Sequence, residues 1–443
     1  MHYPSFNSAS AKLHERALKY LPGGNTRTTV YMKPYPIYAV RGAGCRVWDA
    51  DGDVRIDCIN NFTSHIHGYA NPTINAVVKK QLENGTAFGL PTSSEIDLAE
   101  LLCSRVESIE RVRFTNSGTE AVMMAIKAAR AFTGRAKIVK VEGAYHGSYD
   151  YAEVSLDSKP KEWGNDDTPS SIPYAKGTPS SVLTDVITIP FNDPEMAVKL
   201  LRLHAGELAA VLIDPVPNRA GLIPASQQFI TSLVDTAKEI GALLIFDEVI
   251  SFRLCYRGAQ SLWDVKPDLT AFGKIIGGGF PIGAVGGRED VMAVFDPTYG
   301  KPALPHGGTF SANPISMTAG LAAMQLLDRK SFKRLDEMGA SLRAAINKIL
   351  IARNLAGQAV GMGSLIKVHL TSHDVKDYRS AFQDSETARK LSVFVQGLMN
   401  RGVLVASNGL IALSTPMTNE DLDLIIQAVE GAVDDVLVSM DTI

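Results

Sequence analysis

A lysine with unusual neighbours stands in Asp268-Leu269-Thr270-Ala271-Phe272-Gly273-Lys274-Ile275-Ile276-Gly277-Gly278-Gly279. Most lysines sit on solvated faces. Here an apolar run precedes the amine and three glycines follow shortly after it. Apolar flanks desolvate an amine and lower its pKa, which a lysine that forms a Schiff base with a carbonyl requires. Glycines let the backbone approach a ligand closely. Upstream, Ala242-Leu243-Leu244-Ile245-Phe246-Asp247-Glu248-Val249 ends an apolar run on two adjacent carboxylates. Neighbouring side chains on a strand point to opposite faces, so Asp247 and Glu248 cannot share a role. One can enter a site while the other turns to the loop side. A carboxylate beneath a pyridine nitrogen would keep it protonated and make the ring an electron sink; capping of the following segment is the alternative use of such a pair.

Asn116-Ser117-Gly118-Thr119-Glu120 lies between a short apolar run and a helical pattern with apolar residues at 121, 122, 124, 125, 128, 129 and 132, closed by Gly134. Gly118 permits a tight turn, and the Ser117 and Thr119 hydroxyls join free N–H groups at the helix start, a suitable place for phosphate. Simple N-capping accounts for the same residues. Gly143-Ala144-Tyr145-His146-Gly147 offers a ring that could stack on a flat ligand or merely pack. Gly307-Gly308-Thr309-Phe310 adds a glycine-flanked hydroxyl of equally open meaning.

These stations need a scaffold. The apolar runs Val112–Thr115, Lys137–Val141, Ala209–Ile213, Ala242–Phe246, Leu269–Phe272 and Ile282–Val285 are separated mostly by helix-length segments. That alternation predicts an α/β fold with a mostly parallel sheet covered on both faces. Helices are expected over Ser8–Tyr20 and from Pro314 to about Leu327, and short strands over Pro36–Val40 and Cys45–Asp49. The stretch 155–181, rich in Pro, Ser, Gly, Asp and Lys, predicts one long surface loop, either a lid or an insertion. With 443 residues, one large domain and a lesser one are expected. The division is 1–69 (N-terminal segment, part of the small domain), 70–325 (large domain) and 326–443 (C-terminal small domain).

The net charge of −3 argues against nucleic acid or an anionic membrane as partner. Cys45, Cys58, Cys103 and Cys255 lack metal-ligand spacing and read as free thiols, so no metal site is expected. There is no secretory leader pattern and no long apolar run, which together predict a cytoplasmic protein without a membrane span.

Taken in order, these stations resemble the class III aminotransferases, fold type I enzymes that use pyridoxal 5'-phosphate (PLP). The stretches Asn116–Ala121, Lys274–Asp290 and Gly307–Pro314 are most similar to the branch of glutamate-1-semialdehyde aminomutases and β-phenylalanine aminotransferases. The resemblance spans Leu21-Pro22-Gly23-Gly24 to Pro416-Met417-Thr418. It implies a mostly parallel seven-stranded sheet in a large domain, with a smaller α+β domain. Lys274 would hold the cofactor and shuttle a proton, and Asp247 would pair with the ring nitrogen. Tyr145, next to His146, would stack on one ring face with Val249 against the other. Ser117, Gly118 and Thr119 would hold the phosphate, and Thr309 would reach it from the second subunit of a homodimer with shared active sites. The activity implied is amino transfer between an amine or β-amino acid and a 2-oxo acid.

Some positions depart from the pattern. Many members carry a C-terminal arginine that clamps a carboxylate, whereas this chain has Asn408 and Ala412 in that stretch. The aminomutases have a glutamate where Ser407-Asn408 stand, which disfavours intramolecular transfer. Asp214-Pro215 replaces the usual Glu-Pro, and Asn218-Arg219 follow. Gly24-Asn25-Thr26-Arg27-Thr28 is similar to the β-amino-acid enzymes, in which an arginine there binds a carboxylate. Arg27 is therefore the expected substrate residue, Arg219 the reserve and Arg253 a more distant one; a surface salt bridge is the other use of Arg27. A racemase or decarboxylase fits the same scaffold. A purely binding protein would be expected to have lost Lys274 or Asp247, and both are present.

Overall fold

The computed structural model describes residues 3–165 and 168–441. Asp166 and Asp167, inside the predicted 155–181 loop, and the terminal residues 1–2 and 442–443 lie outside the described residues. The strands are β1 (Ala39–Ala43), β2 (Arg46–Asp49), β3 (Val54–Asp57), β4 (Arg111–Thr115), β5 (Lys137–Val141), β6 (Gly164–Asn165), β7 (Thr168–Pro169) and β8 (Val186–Ile189). They continue with β9 (Leu208–Ile213), β10 (Leu243–Asp247), β11 (Leu269–Gly273), β12 (Gly283–Gly287), β13 (Gln358–Val360), β14 (Leu365–His369), β15 (Val403–Leu404) and β16 (Leu410–Ala412).

Seven strands form the central sheet in the order β4-β12-β11-β10-β9-β5-β8. All neighbouring pairs are parallel except those of β12, which runs antiparallel to both β4 and β11. The two-residue alternation of a strand divides the apolar runs between two cores. Val139, Val141, Val211, Ile213, Leu244 and Phe246 pack on one side with the helices Pro194–Leu203 and Gln227–Ile240. Ile138, Ala210, Leu212, Leu243 and Ile245 pack on the other with the helix Gly118–Thr133. Burial on both faces is why these strands read as continuous apolar runs rather than alternating ones. The polar ends of the strands are then the only places where the sheet can present chemistry.

Two smaller sheets complete the scaffold. β1, β2 and β3 join β15, which lies parallel to β3, so the N-terminal strands pair directly with the C-terminal part. β13, β14 and β16 form an antiparallel sheet. The helices Arg329–Ala352, Ser385–Asn400 and Asn419–Asp441 supply much of the apolar core around these sheets.

The strand expected over Pro36–Val40 begins only at Ala39, because Pro34 and Pro36 have no N–H to give a ladder. β8 had no counterpart among the expected strands; its four residues are hidden behind the polar 155–181 stretch. That stretch is tied down. The Trp163 ring meets Phe382 and Tyr378 edge-on at 5.6 and 6.3 Å, and the Tyr378 hydroxyl donates to Ser158 O at 2.8 Å. Arg379 Nη2 donates to Trp163 O at 2.9 Å. None of its described residues lines the cavity described below.

Candidate active site

The carboxyl ends of β5, β9, β10 and β11 converge on a cavity of about 380 Å³, where open α/β sheets place their ligands. Its walls include Ser117, Gly118, Thr119, Tyr145, His146, Asp214, Asp247, Val249 and Lys274.

The phosphate-like cradle forms where β4 turns into the helix Gly118–Thr133. Ser117 is the N-cap, its hydroxyl accepting from Glu120 N at 3.2 Å, while Glu120 accepts from Asn116 N at 2.8 Å. Capping is one of the two roles left open by sequence: it fixes the turn, and the turn leaves the Gly118 and Thr119 N–H groups without an acceptor among the described residues. Any Cβ at Gly118 would lie 2.8 Å from Val249 Cγ1. Gly147, at φ +90°, lets the next segment pass against Thr119 in the same way.

Asp247 and Glu248 part as strand alternation requires. Asp247 lines the cavity; its Oδ2 takes the His146 Nδ1–H at 2.8 Å and its Oδ1 the Val249 N–H at 2.9 Å. Glu248 turns away and accepts from Ala259 N at 2.6 Å, Gln260 N at 3.0 Å and Gln260 Nε2 at 2.9 Å. Burial raises its pKa to about 7. His146 is fully buried, and burial lowers its pKa, against the opposing pull of Asp247. It is a neutral ring that holds one carboxylate oxygen in place.

Lys274 directly follows β11 and adopts φ +49°, a left-handed conformation that non-glycine residues seldom take and that clusters at functional sites. Burial lowers its pKa, partly offset by the charges of Asp247 and Asp214. Among the described residues its amine has no hydrogen-bond or ion-pair partner. Two other buried lysines are occupied: Lys140 Nζ donates to Val141 O and Val154 O, and Lys367 Nζ to Asn218 O.

Asp214 is a wall residue that sequence reasoning did not nominate. It ends the apolar run of β9 as Asp247 ends that of β10, which is the signal that could have found it. Burial, then the neighbouring Asp247, raise its pKa far above the carboxylate range. Among the described residues its one backbone donor is Val216 N at 3.0 Å. Asn61, Phe62 and Ser64 were missed as well. They sit on a turn in which Asn60, Asn61, Phe62 and Thr63 all have positive φ, and no local motif announces such a turn.

Arg27 stands at the junction with a second cavity of about 830 Å³, lined in part by Val30, Met32, Ile37, Leu391, Val395 and Leu404. Its Nη1 donates to Asn61 Oδ1 at 2.8 Å, and its guanidinium lies 5.8 Å from the Phe62 ring centre. No carboxylate pairs with it among the described residues, so the surface salt bridge does not form. Arg219 lines neither cavity; its Nη2 is 4.0 Å from Asp157 Oδ1. Thr309 is exposed and away from its own chain's cavity. Arg253 is ruled out as a reserve: it is buried, and its guanidinium donates to Ser364 Oγ, Thr63 O and Leu413 O. Asn408 takes the Leu410 N–H in a turn and Ala412 is buried, so no cation stands at these two positions.

The chain is 51% identical to the solved structure of an omega-transaminase from Sphaerobacter thermophilus, with a TM-score of 0.96 over 98% of this chain and 99% of that one. It is 38% identical over 397 residues to a glutamate-1-semialdehyde 2,1-aminomutase of Methanothermobacter thermautotrophicus, covering 89% of this chain and 91% of the relative. It is 36% identical over 424 residues to a beta-phenylalanine transaminase of Variovorax paradoxus, covering 96% and 92%. The family model for aminotransferase class-III matches residues 28–433, a span holding every wall residue described above except Arg27, and the chain belongs to the class III aminotransferases.

Proposed function

We propose that this enzyme moves an amino group from an amine or β-amino acid to a 2-oxo acid, and that Arg27 holds the substrate carboxylate. The observation that carries the reading is Arg27 itself. It is a guanidinium at the cavity junction, steadied by a neutral amide and left without a carboxylate of its own. Such a planar fork matches a carboxylate with two hydrogen bonds. The adjoining apolar cavity offers room for a bulky substituent.

The residues present fit the family's cofactor, PLP. Two unclaimed N–H groups at a helix start, an unpartnered amine and a carboxylate fixed by two donors face one cavity. Ser117, Gly118 and Thr119 would hold the phosphate, Tyr145 and Val249 would border the ring, Asp247 would take the ring nitrogen, and Lys274 would attach the group. When bound, PLP supplies an electron sink for the charge left as the substrate carbon loses its proton. Asp247 keeps that sink charged, and His146 keeps Asp247 aimed. Lys274, its basicity lowered by burial, takes and returns the proton at the substrate carbon bearing nitrogen. Burial and the neighbouring Asp247 both disfavour a second negative charge at Asp214.

Arg27→Ala is expected to raise KM for acidic substrates about one hundredfold, the loss of a charged hydrogen-bond pair. A simple amine should change little in its own half-reaction. Steady-state kinetics with a β-amino acid and with an amine lacking a carboxylate make the comparison; equal effects on both would assign Arg27 a structural part.

The enzyme is further proposed to be a homodimer, with Thr309 of the partner subunit completing the phosphate cradle. Exposure of Thr309 outside its own cavity supports this, as do Leu82, Phe88, Leu90, Ile96 and Phe310, large apolar side chains that stand exposed on the single chain. Mixing Lys274→Ala chains with chains disabled at Thr309 should restore activity above either parent once subunits exchange. No gain after exchange would refute shared sites. The division into 1–69 with 326–443 and 70–325 is the one we adopt, supported by the pairing of β3 with β15.

A second reading, intramolecular amino transfer, is favoured by the aminomutase relative. Ser407 in place of the family's glutamate counts against it. Conversion of an amine donor with pyruvate, which an intramolecular enzyme would not support, decides between them.

A further inference from the structure

Residues 60–63 hold a backbone that side chains seldom adopt. Asn60, Asn61, Phe62 and Thr63 have φ of +51°, +45°, +53° and +75°, one left-handed turn made without a glycine. Asparagine visits that region readily, but phenylalanine and threonine do not, and such a turn persists only where its surroundings over-determine it. The surroundings here do so. Asp57 Oδ1 accepts from Ile59 N at 2.7 Å and from Asn60 N at 3.1 Å. Asn60 is fully buried and donates from Nδ2 to Ala412 O at 2.6 Å, and the buried Arg253 donates from Nη1 to Thr63 O at 2.9 Å. Distant parts of the chain thus clamp both ends of the turn. Its middle, Asn61 and Phe62, is left on the walls of both cavities.

Those two side chains meet one partner. Asn61 Oδ1 accepts from Arg27 Nη1 at 2.8 Å, and the Phe62 ring centre lies 5.8 Å from the same guanidinium. The far end of the Asn61 amide is also held: Nδ2 donates to Ser64 Oγ at 3.2 Å, and the Ser64 hydroxyl donates to Asn61 O at 3.0 Å. With its NH2 given to Ser64, the amide turns its oxygen to the guanidinium. A guanidinium has five N–H donors, of which this contact uses one. Bound at Nη1, Arg27 keeps the edge formed by Nε and Nη2 for a carboxylate. The neutrality of Asn61 matters as much as its shape. An aspartate of the same shape would close an ion pair with Arg27 and cancel the charge that attracts an acid.

We propose that Asn61 is the positioning residue of the carboxylate site: it presents Arg27 edge-on between the two cavities, leaves its charge uncancelled, and so sets the preference for carboxylate-bearing substrates over simple amines. Ser64 orients the Asn61 amide, and the left-handed turn carries both residues to Arg27. The proposal rests on the reading of Arg27 given above and deepens it, naming the residue through which that arginine is tuned.

The test follows the donor half-reaction of the holoenzyme by cofactor absorbance, with no acceptor present. The donors are 3-amino-3-phenylpropanoate, which has a carboxylate, and 1-phenylethylamine, which has none. Asn61→Gly removes the amide and suits a positive φ, and Asn61→Asp keeps the shape and also tolerates that backbone, so both retain the turn. Asn61→Asp should raise the half-saturating concentration of the acid, relative to that of the amine, by at least about tenfold, and Asn61→Gly by roughly three- to tenfold. The change should fall on saturation and not on the limiting rate. Ser64→Ala should act in the same sense by about two- to threefold, the loss of one neutral hydrogen bond. Because Asn61 acts through Arg27, Asn61→Gly in an Arg27→Ala background should weaken the acid no further. Calorimetric binding of 3-phenylpropanoate and 3-phenylpropanamide to each holoenzyme variant should show the same ratios without turnover. Asn61 variants that weaken acid and amine alike, or that add their full effect to that of Arg27→Ala, overturn the proposal. An Arg27→Ala that leaves the acid-to-amine ratio unchanged removes the carboxylate site itself, whereas a selective Arg27→Ala beside unselective Asn61 variants removes the Asn61 role alone.

Discussion

Lys274→Ala is expected to lower turnover by at least about 10⁴-fold, because it would remove the proposed covalent anchor and proton carrier together. No other lysine of the described cavity wall can take over, since Lys274 is the one lysine there. Lys140, whose pKa burial also brings down to about 7, is bound to the Val141 and Val154 carbonyls and has no place in the cavity wall. Lys367 is committed to Asn218 O. The sign of the pKa change matters for the wild type. Burial lowers the Lys274 pKa, so its free-base form persists to lower pH than for a solvated lysine, which is what a base near neutrality needs. The measurement is borohydride reduction of PLP-loaded protein followed by peptide mapping. The wild type should carry the label on the peptide containing Lys274 and the variant should carry none. A reducible adduct elsewhere in an active variant would remove Lys274 from its role.

Asp247→Asn is expected to cost about 10²–10³-fold in the single-turnover rate with an amine donor, the size of a lost preorganised electrostatic contact. The amide keeps the shape of the carboxylate but offers one acceptor oxygen in place of two, so the variant removes the charge together with one of the two contacts from His146 and Val249. PLP should remain bound through the Ser117–Thr119 turn, checked by cofactor release on denaturation. Glu248 cannot substitute, because its two oxygens are taken by Ala259 and Gln260. An undiminished single-turnover rate would mean that the Asp247 charge has no part in proton removal. Asp247→Ala should be worse, since it also leaves the buried His146 Nδ1–H without an acceptor.

Much of the site could be read locally. Ser117 and Glu120 lie three residues apart and cap each other's segment, a device contained in five consecutive residues. Asp247 and Glu248 had to diverge because a strand alternates. The apolar runs of β5, β9, β10 and β11 had to be buried on both faces, and strand ends of a parallel sheet lie at one edge. Each of these follows from short-range geometry that side-chain type reveals.

The carboxylate-handling residues were legible only as a set of arginines. Arg27, Arg219 and Arg253 are chemically alike in sequence, and burial with partners separated them: Arg253 is a structural pin, Arg27 an open fork and Arg219 a side chain outside both cavities. Their partners lie 34 to 190 residues away along the chain, from Arg27–Asn61 to Arg253–Thr63. The left-handed turn at 60–63 and the anchoring of 155–181 by Tyr378 and Arg379 are of the same kind. Sequence by itself determined the family and the fold type and nominated the residues proposed to carry a cofactor, because those readings depend on period, capping and local order. Which charged groups are satisfied and which are left free for a substrate was decided only by tertiary structure, because satisfaction depends on partners brought together by folding and on the water that burial removes.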